Sequence, residues 1–152
     1  MRVVVDGYNF FHAVGGSGAV EPEQAARELA VMLGPWARRR GHRLCVVMDG
    51  GPGGRQSVQG VEVLWAGGSA DEAIVARARA GVVVVSDDRE LVARCEARGA
   101  EAIGCWELAV AVWGGGAGEE EYHEWDGTTR KRGPSRRLPR RLRRKARVRA
   151  RL

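Results

Sequence analysis

Three short apolar runs, each followed at once by a turn and an acidic residue, constrain this chain more than any other feature. Met1 to Val5 runs into Asp6-Gly7, Leu44 to Met48 into Asp49-Gly50, and Val82 to Val85 into Ser86-Asp87-Asp88. Apolar, β-branched runs of roughly 4–8 residues bounded by turn residues read as strands buried on both faces. Helical patterns lie between them. Pro22 opens one, in which Ala25, Leu29, Met32, Leu33 and Trp36 form an apolar face through about Arg40, and Pro35 predicts a kink. Ser69-Ala70-Asp71-Glu72 has the capping-box form at the head of a second helix running to about Ala80. Ser86 is placed to cap a third, with Leu91, Val92 and Cys95 on its inner face, and a last helix is expected around Glu107 to Val112 after a short strand at Ala102-Ile103. Gly41, Gly81 and Gly99 stand where helix C-termini take left-handed backbone. Gly50 to Gly60 reads as a mobile loop, and Val61, Val63 and Trp65 alternate as in a half-buried or edge strand. Strands alternating with helices through right-handed crossovers predict an α/β fold, with a mostly parallel sheet covered on both faces.

In such a sheet the C-terminal strand ends and the helix N-termini share one edge, where open α/β folds bind ligands. Asp6, Asp49, the Asp87-Asp88 pair and Asp71-Glu72 all map to that rim. Close carboxylate pairs repel at roughly 1 kcal/mol or more even when well solvated, so a positive charge is expected among them. It is not a lysine, because Lys131 and Lys145 are the only two in the chain. That absence also excludes a P-loop, since Gly50 to Gly54 leads to Arg55 with no following Lys-Ser/Thr, and it disfavours receiver-like and dehalogenase-like sites. A hard divalent cation fits better: Mg²⁺ takes oxygen ligands, keeps several waters, and can activate water for attack on a phosphodiester. Each acid also has an ordinary reading. Asp before Gly is a common turn residue, and acids in a first helical turn complement the helix dipole. Caps alone do not require all four groups on one edge.

Val5-Asp6-Gly7-Tyr8-Asn9, Val47-Met48-Asp49-Gly50, Ser69-Ala70-Asp71-Glu72 and Val85-Ser86-Asp87-Asp88-Arg89-Glu90-Leu91 resemble, in order, the motifs of the YacP-like NYN domains of the PIN-like nuclease superfamily. The likeness covers about residues 1–113. It implies a Rossmann-like three-layer α/β/α sandwich, a Mg²⁺ or Mn²⁺ site and endoribonuclease activity, which some members direct at messenger RNA on the ribosome. Carried over by position, it implies Asp6, Asp71 and Asp88 as metal ligands, with Asn9 and Asp49 supporting them. Glu72, Asp87 and Glu90 are additional acids, Asp87 being a possible helix cap.

Charge divides the chain. Residues 1–129 hold 12 basic and 19 acidic side chains, a net of −7, whereas residues 130–152 hold 13 basic and none acidic, a net of +13. The expected organisation is therefore a nuclease domain over 1–113, a Gly-rich then acidic linker over 114–129 and an Arg-rich tail over 130–152. Blocks of like charge are usually disordered alone, so the tail, with Arg136, Arg137, Arg140, Arg141, Arg143, Arg144 and Lys145, is expected to seek RNA or the ribosome. Arg77 and Arg79, on the helix begun by Asp71, are placed to reach the backbone of a bound strand. Trp36, Trp106 and Trp113 are expected in the core, and so is Trp65, which could stack on a base only from an exposed loop. The histidines show no ligand spacing, although His12 lies close enough behind Asn9 to donate to a phosphate. Cys45, Cys95 and Cys105 read as reduced core thiols. No apolar run approaches the roughly 20 residues of a membrane span, and Asp6 interrupts the first run before it could form a signal core; a cytoplasmic protein is expected. Two rivals share the fold: a non-catalytic RNA- or ribosome-binding protein, and a toxin-type PIN ribonuclease.

Overall fold

Five strands run parallel and one runs against them. They are β1 (Arg2–Asp6), β2 (Arg43–Asp49), β3 (Gly54–Val58), β4 (Val61–Ala66), β5 (Val82–Val85) and β6 (Glu101–Ile103). In space they lie in the order β3-β4-β2-β1-β5-β6, with β3 antiparallel to β4 and every other pairing parallel. The helices are α1 (Gly7–Ala13), α2 (Pro22–Arg40), α3 (Ala70–Arg77), α4 (Arg89–Ala97), α5 (Cys105–Trp113) and α6 (Arg140–Arg151). The computed structural model describes residues 1–16, 20–114 and 140–152.

Alternation along the central strands divides the core into two layers, because successive side chains of a strand point to opposite faces. Val3, Val5, Leu44 and Val46 face α1, α2, α5 and α6, whereas Val4, Cys45 and Val47 face α3 and α4. The result is the expected three-layer α/β sandwich with a mostly parallel sheet. The three cysteines are free and buried.

Several expectations change. Gly54 to Val58 is a strand rather than a loop, joined to β4 by a tight turn in which Gln59 (φ 52°) and Gly60 (φ 77°) both take the left-handed conformation. Such two-residue turns match the twist of an antiparallel pair. α2 continues through Pro35 to Arg40. α3 ends at Arg77, three residues before the expected Ala80, and Gly81 takes its left-handed conformation (φ 84°) after that end. Trp65 and Trp36 are buried, but Trp106 and Trp113 are 73% and 51% exposed. Both lie on α5, where they flank the inward-facing Leu108 and Ala109.

The basic tail also departs from a solvated charge run. Among its described residues, α6 buries Val148 and Leu152 in the same core layer as α5 and β6. Arg149 pairs with Glu107 at 2.8 Å, Lys145 lies 3.8 Å from the same carboxylate, and Arg151 pairs with Glu101. The anchoring apolar pair is Val148 and Leu152, spaced i, i+4, with Leu152 N bonded to Val148 O at 3.2 Å.

Candidate active site

Each acid of the rim is positioned by the strand end or helix start that carries it, and the structure separates those used as caps from those that are not. Asp49, at the end of β2, accepts a hydrogen bond from Ala70 N at 2.9 Å and so caps α3. The capping box expected at Ser69 does not form, since no side chain of Ser69 caps that helix. Asp88 caps α4, its Oδ1 accepting from Glu90 N at 2.9 Å and Leu91 N at 3.2 Å. This is the role expected of Ser86. Asp87 reaches across to α5, where its Oδ1 accepts from Cys105 N at 2.9 Å. A Cβ at Gly104 would meet that oxygen at 2.9 Å, so glycine there keeps room for the contact.

Asp6 and Asp71 are placed differently. Asp6 starts α1 without a side-chain cap bond, and Asp71 sits within the first turn of α3. Burial pushes the Asp6 carboxyl up to about 6, with repulsion from Asp71 and Asp49 adding to it and the Ser86 hydroxyl and the Asn9 backbone N–H opposing it. Asp71 is also raised, first by burial and then by Asp88 and Asp49. That these carboxylates repel one another shows that the fold gathers Asp6, Asp49, Asp71 and Asp88 at one edge of the sheet. Among the described residues, however, no group of three or more His, Cys, Asp or Glu side chains stands ready to hold a metal ion. The three expected ligands Asp6, Asp71 and Asp88 are neighbours in charge but not a closed cage. Glu72 is engaged by Arg94 at 2.7 Å. Glu90 lies exposed in the first turn of α4.

Two polar residues organise the rim. The Asn9 amide oxygen accepts from Asp87 N at 2.8 Å and from Cys105 Sγ at 3.1 Å, tying α1 to the end of β5 and the start of α5. Ser86, only 2% exposed, donates from Oγ to Asp6 Oδ2 at 3.1 Å and accepts from Asp88 N at 3.1 Å. It therefore fixes the carboxylate of one strand end while setting the turn that carries another. Its functional place is missed from sequence because a serine before a helix reads first as a cap. The available signal is its position directly after β5, level with Asp6 at the end of β1. Tyr8 is a second residue not anticipated: burial and the charges of Asp49 and Glu21 raise its phenol, which places it beside the rim. His12 is exposed and stacks against Tyr8, with ring centroids 6.1 Å apart.

Of the expected RNA contacts, Arg77 is half-buried at the end of α3 and Arg79 is exposed just beyond it. Lys145 lines a cleft of about 690 Å³ with Ser86, Asp87 and Arg89, so α6 reaches the rim itself. Arg144 is exposed on α6; Arg140, Arg141 and Arg143 belong to the same helix. Arg136 and Arg137 lie outside the described residues, as do His123 and Leu138.

A family model of the YacP-like NYN domain matches residues 3–148. The chain belongs to the YacP-like NYN domain family. Its function is thus of the nuclease type and directed at RNA. Among solved structures, this NYN domain is similar to that of Rae1 (YacP) from Bacillus subtilis in a W164L mutant form, at a TM-score of 0.63 and 24% identity, over 73% of this chain and 74% of that one. That likeness shows the shared α/β fold. No curated protein matches the sequence. No described helix is long and apolar enough to cross a membrane.

Proposed function

We propose that this NYN domain is a Mg²⁺- or Mn²⁺-dependent endoribonuclease whose substrate enters along the acidic rim. The observation that carries the reading is the contrast between Asp6 and its neighbours. Asp49, Asp87 and Asp88 each serve a helix N-terminus, whereas Asp6 is desolvated and repelled by two other carboxylates, and the Ser86 hydroxyl and the Asn9 backbone N–H offset only part of that. A partly buried carboxylate whose hydrogen bonds do not offset its desolvation and repulsion calls for a cation. The donors fit a hard ion, being carboxylate oxygens, and Mg²⁺ is commonly held through only one or two of them together with waters and substrate phosphates. A closed cage is therefore not required before RNA arrives. Asp6 and Asp71 would hold the ion, joined by Asp88, whose capping bonds engage only Oδ1. When bound, the ion would supply charge neutralisation at the phosphate and a more acidic water. Ser86 and Asn9 hold Asp6 and the β5 turn in position, and Asp49 anchors the helix that carries Asp71. Arg89 and Lys145, on the walls of the adjoining cleft, would take phosphates that flank the cut. Messenger RNA, met on the ribosome in the cytoplasm, is the substrate setting this reading favours.

The test is cleavage of RNA, free and on translating ribosomes, with Mg²⁺ or Mn²⁺ and then with EDTA, beside Asp6→Asn and Asp88→Asn. Cleavage lost on chelation and in Asp6→Asn is the expected result. Cleavage indifferent to both overturns the metal mechanism. Binding with no cleavage under any condition favours a non-catalytic RNA-binding protein on this fold.

A further inference from the structure

The end of the sheet opposite the acidic rim carries a concentration of the other charge. A cleft of about 370 Å³ is lined by Arg2, Arg43, Arg55, Arg77 and Arg79, with Glu62 as its acidic wall residue. Glu62 lies 3.8 Å from Arg55 and 4.0 Å from Arg77, both loose contacts, and it is itself 46% exposed. Five guanidinium groups thus share one carboxylate. Arg2 and Arg43 are register partners on adjacent parallel strands. Neighbouring strands are about 4.8 Å apart, and like charges placed directly across from one another are destabilising. Both belong to the α3 side of the sheet, since Val4 and Cys45, two residues further along each strand, line the same cleft and pack in the layer beneath α3. The cleft floor is apolar and neutral: burial pushes the Cys45 thiol up to about 11.

We propose that this five-arginine cleft is a second RNA-backbone site that receives the strand whose other part lies on the acidic rim. Guanidinium forks pair with phosphates in bidentate geometry and are less strongly hydrated than ammonium groups. A chain of phosphates spanning the cluster relieves the repulsion within it. The path between the sites is short. Asp71, in the first turn of α3, lies six residues before Arg77 at its end, which at 1.5 Å per residue is about 9 Å, and Arg2 stands about 13 Å from Asp6 along β1 at 3.3 Å per residue. One single strand laid along α3 meets the cutting edge at one end and the arginines at the other. The cleft then fixes how much RNA on one side of the cut the enzyme must hold. This rests on the endoribonuclease reading for its purpose, but not for its measurement.

The experiment uses the full chain and a fluorescein-labelled, unstructured 20-nucleotide RNA, with EDTA present, read by anisotropy between 50 and 200 mM KCl. Arg2→Ala/Arg43→Ala removes two exposed cations far from the rim and is expected to weaken binding about tenfold. It should also flatten the log-log salt slope by about 1.4, at roughly 0.7 per phosphate contact for a single strand. Arg2→Lys/Arg43→Lys should recover most of the slope and less of the affinity. In cleavage assays the Ala pair should raise KM for the 20-mer, leave kcat unchanged, and leave a tetranucleotide's kcat/KM unchanged. Unchanged affinity and slope overturn the cleft site. So does binding of the wild type to phosphatidylglycerol vesicles without binding to RNA. Altered RNA binding in a protein that never cleaves overturns only the catalytic reading, and cleavage with an unaltered slope overturns only the cleft.

Discussion

Asp6 is a residue whose chemistry and whose stability cost are the same fact. A rise from 3.8 to about 6 corresponds to about 3 kcal/mol disfavouring the ionised form in the fold, which partial exposure reduces to about 1–2 kcal/mol. Because its folded value lies above its unfolded one, this carboxyl contributes stability that is complete below about pH 4 and lost as pH rises through about 6. Asp71 is raised as well and acts in the same direction. Asp6→Asn should therefore stabilise the protein by about 1–2 kcal/mol at pH 7.5 while abolishing cleavage, the trade expected of a strained functional group; thermal unfolding at pH 3.5 and 7.5 should show little gain at the lower value and the full gain at the higher. Under the metal reading, Mn²⁺ at ten times its Kd should add about 1.4 kcal/mol to the wild type and little to Asp6→Asn. Equal shifts in both would remove Asp6 from the metal site. Ser86→Ala tests the positioning role separately. Loss of its hydrogen bond should push the Asp6 carboxyl higher still and move the acidic limb of the kcat/KM profile upward, at a folding cost of about 1–2 kcal/mol. Strand-end acids are legible in sequence because they follow buried apolar runs. Which of them is spare is not legible, because that depends on which helix N-terminus lies opposite in space.

At the scale of elements, long-range capping decides how the rim is built. Asp49 and Ala70 are far apart in sequence, and neither suggests the other, yet their 2.9 Å bond fixes the start of α3 and with it Asp71. Asp49→Ala should cost about 1 kcal/mol as a lost cap and weaken metal binding by letting the first turn of α3 fray. Asp49→Asn keeps an acceptor oxygen, so it should preserve stability and, by removing a repelling charge, lower the Asp6 carboxyl. Circular dichroism melts and metal titration of the two variants distinguish the effects; identical behaviour would mean that charge, not capping, is what Asp49 supplies. The buried strands β1, β2 and β5 are readable from their apolar runs. β3 is not, because Gly-Arg-Gln-Ser-Val has no apolar face to bury: four of its five residues are exposed, and its pairing with β4 is a matter of backbone bonds and a two-residue turn. α5 shows the reverse limit. Its composition is apolar nearly all round, which reads as fully buried, but Trp106 and Trp113 remain on its outer side.

For the whole molecule, the question is whether the basic tail is an arm of the nuclease domain or a part of it. Its 13 cations against no acid argue for the first; the packing of Val148 and Leu152 argues for the second. Magnitudes decide between apolar docking and ion pairing as the cause. Burying a Val or Leu side chain is worth about 1.5–3 kcal/mol each before ordering costs, whereas the partly exposed pairs of Lys145, Arg149 and Arg151 with Glu107 and Glu101 are worth roughly 0–1 kcal/mol each and are screened by salt. Apolar docking should dominate. Val148→Ala/Leu152→Ala should then lower stability by about 2–4 kcal/mol, a fall in Tm of several degrees for a chain of this size, and the loss should persist in 0.5 M KCl. Arg149→Gln/Arg151→Gln should cost less than about 1 kcal/mol and nothing measurable at that salt. Docking also places Lys145 on the cleft beside Ser86 and Asp87, so an undocked α6 should weaken RNA binding through position although every positive charge remains. A Val148→Ala/Leu152→Ala protein that loses stability but binds RNA with unchanged affinity and salt slope would separate the two roles, leaving the tail a structural helix whose charge is not used where it docks.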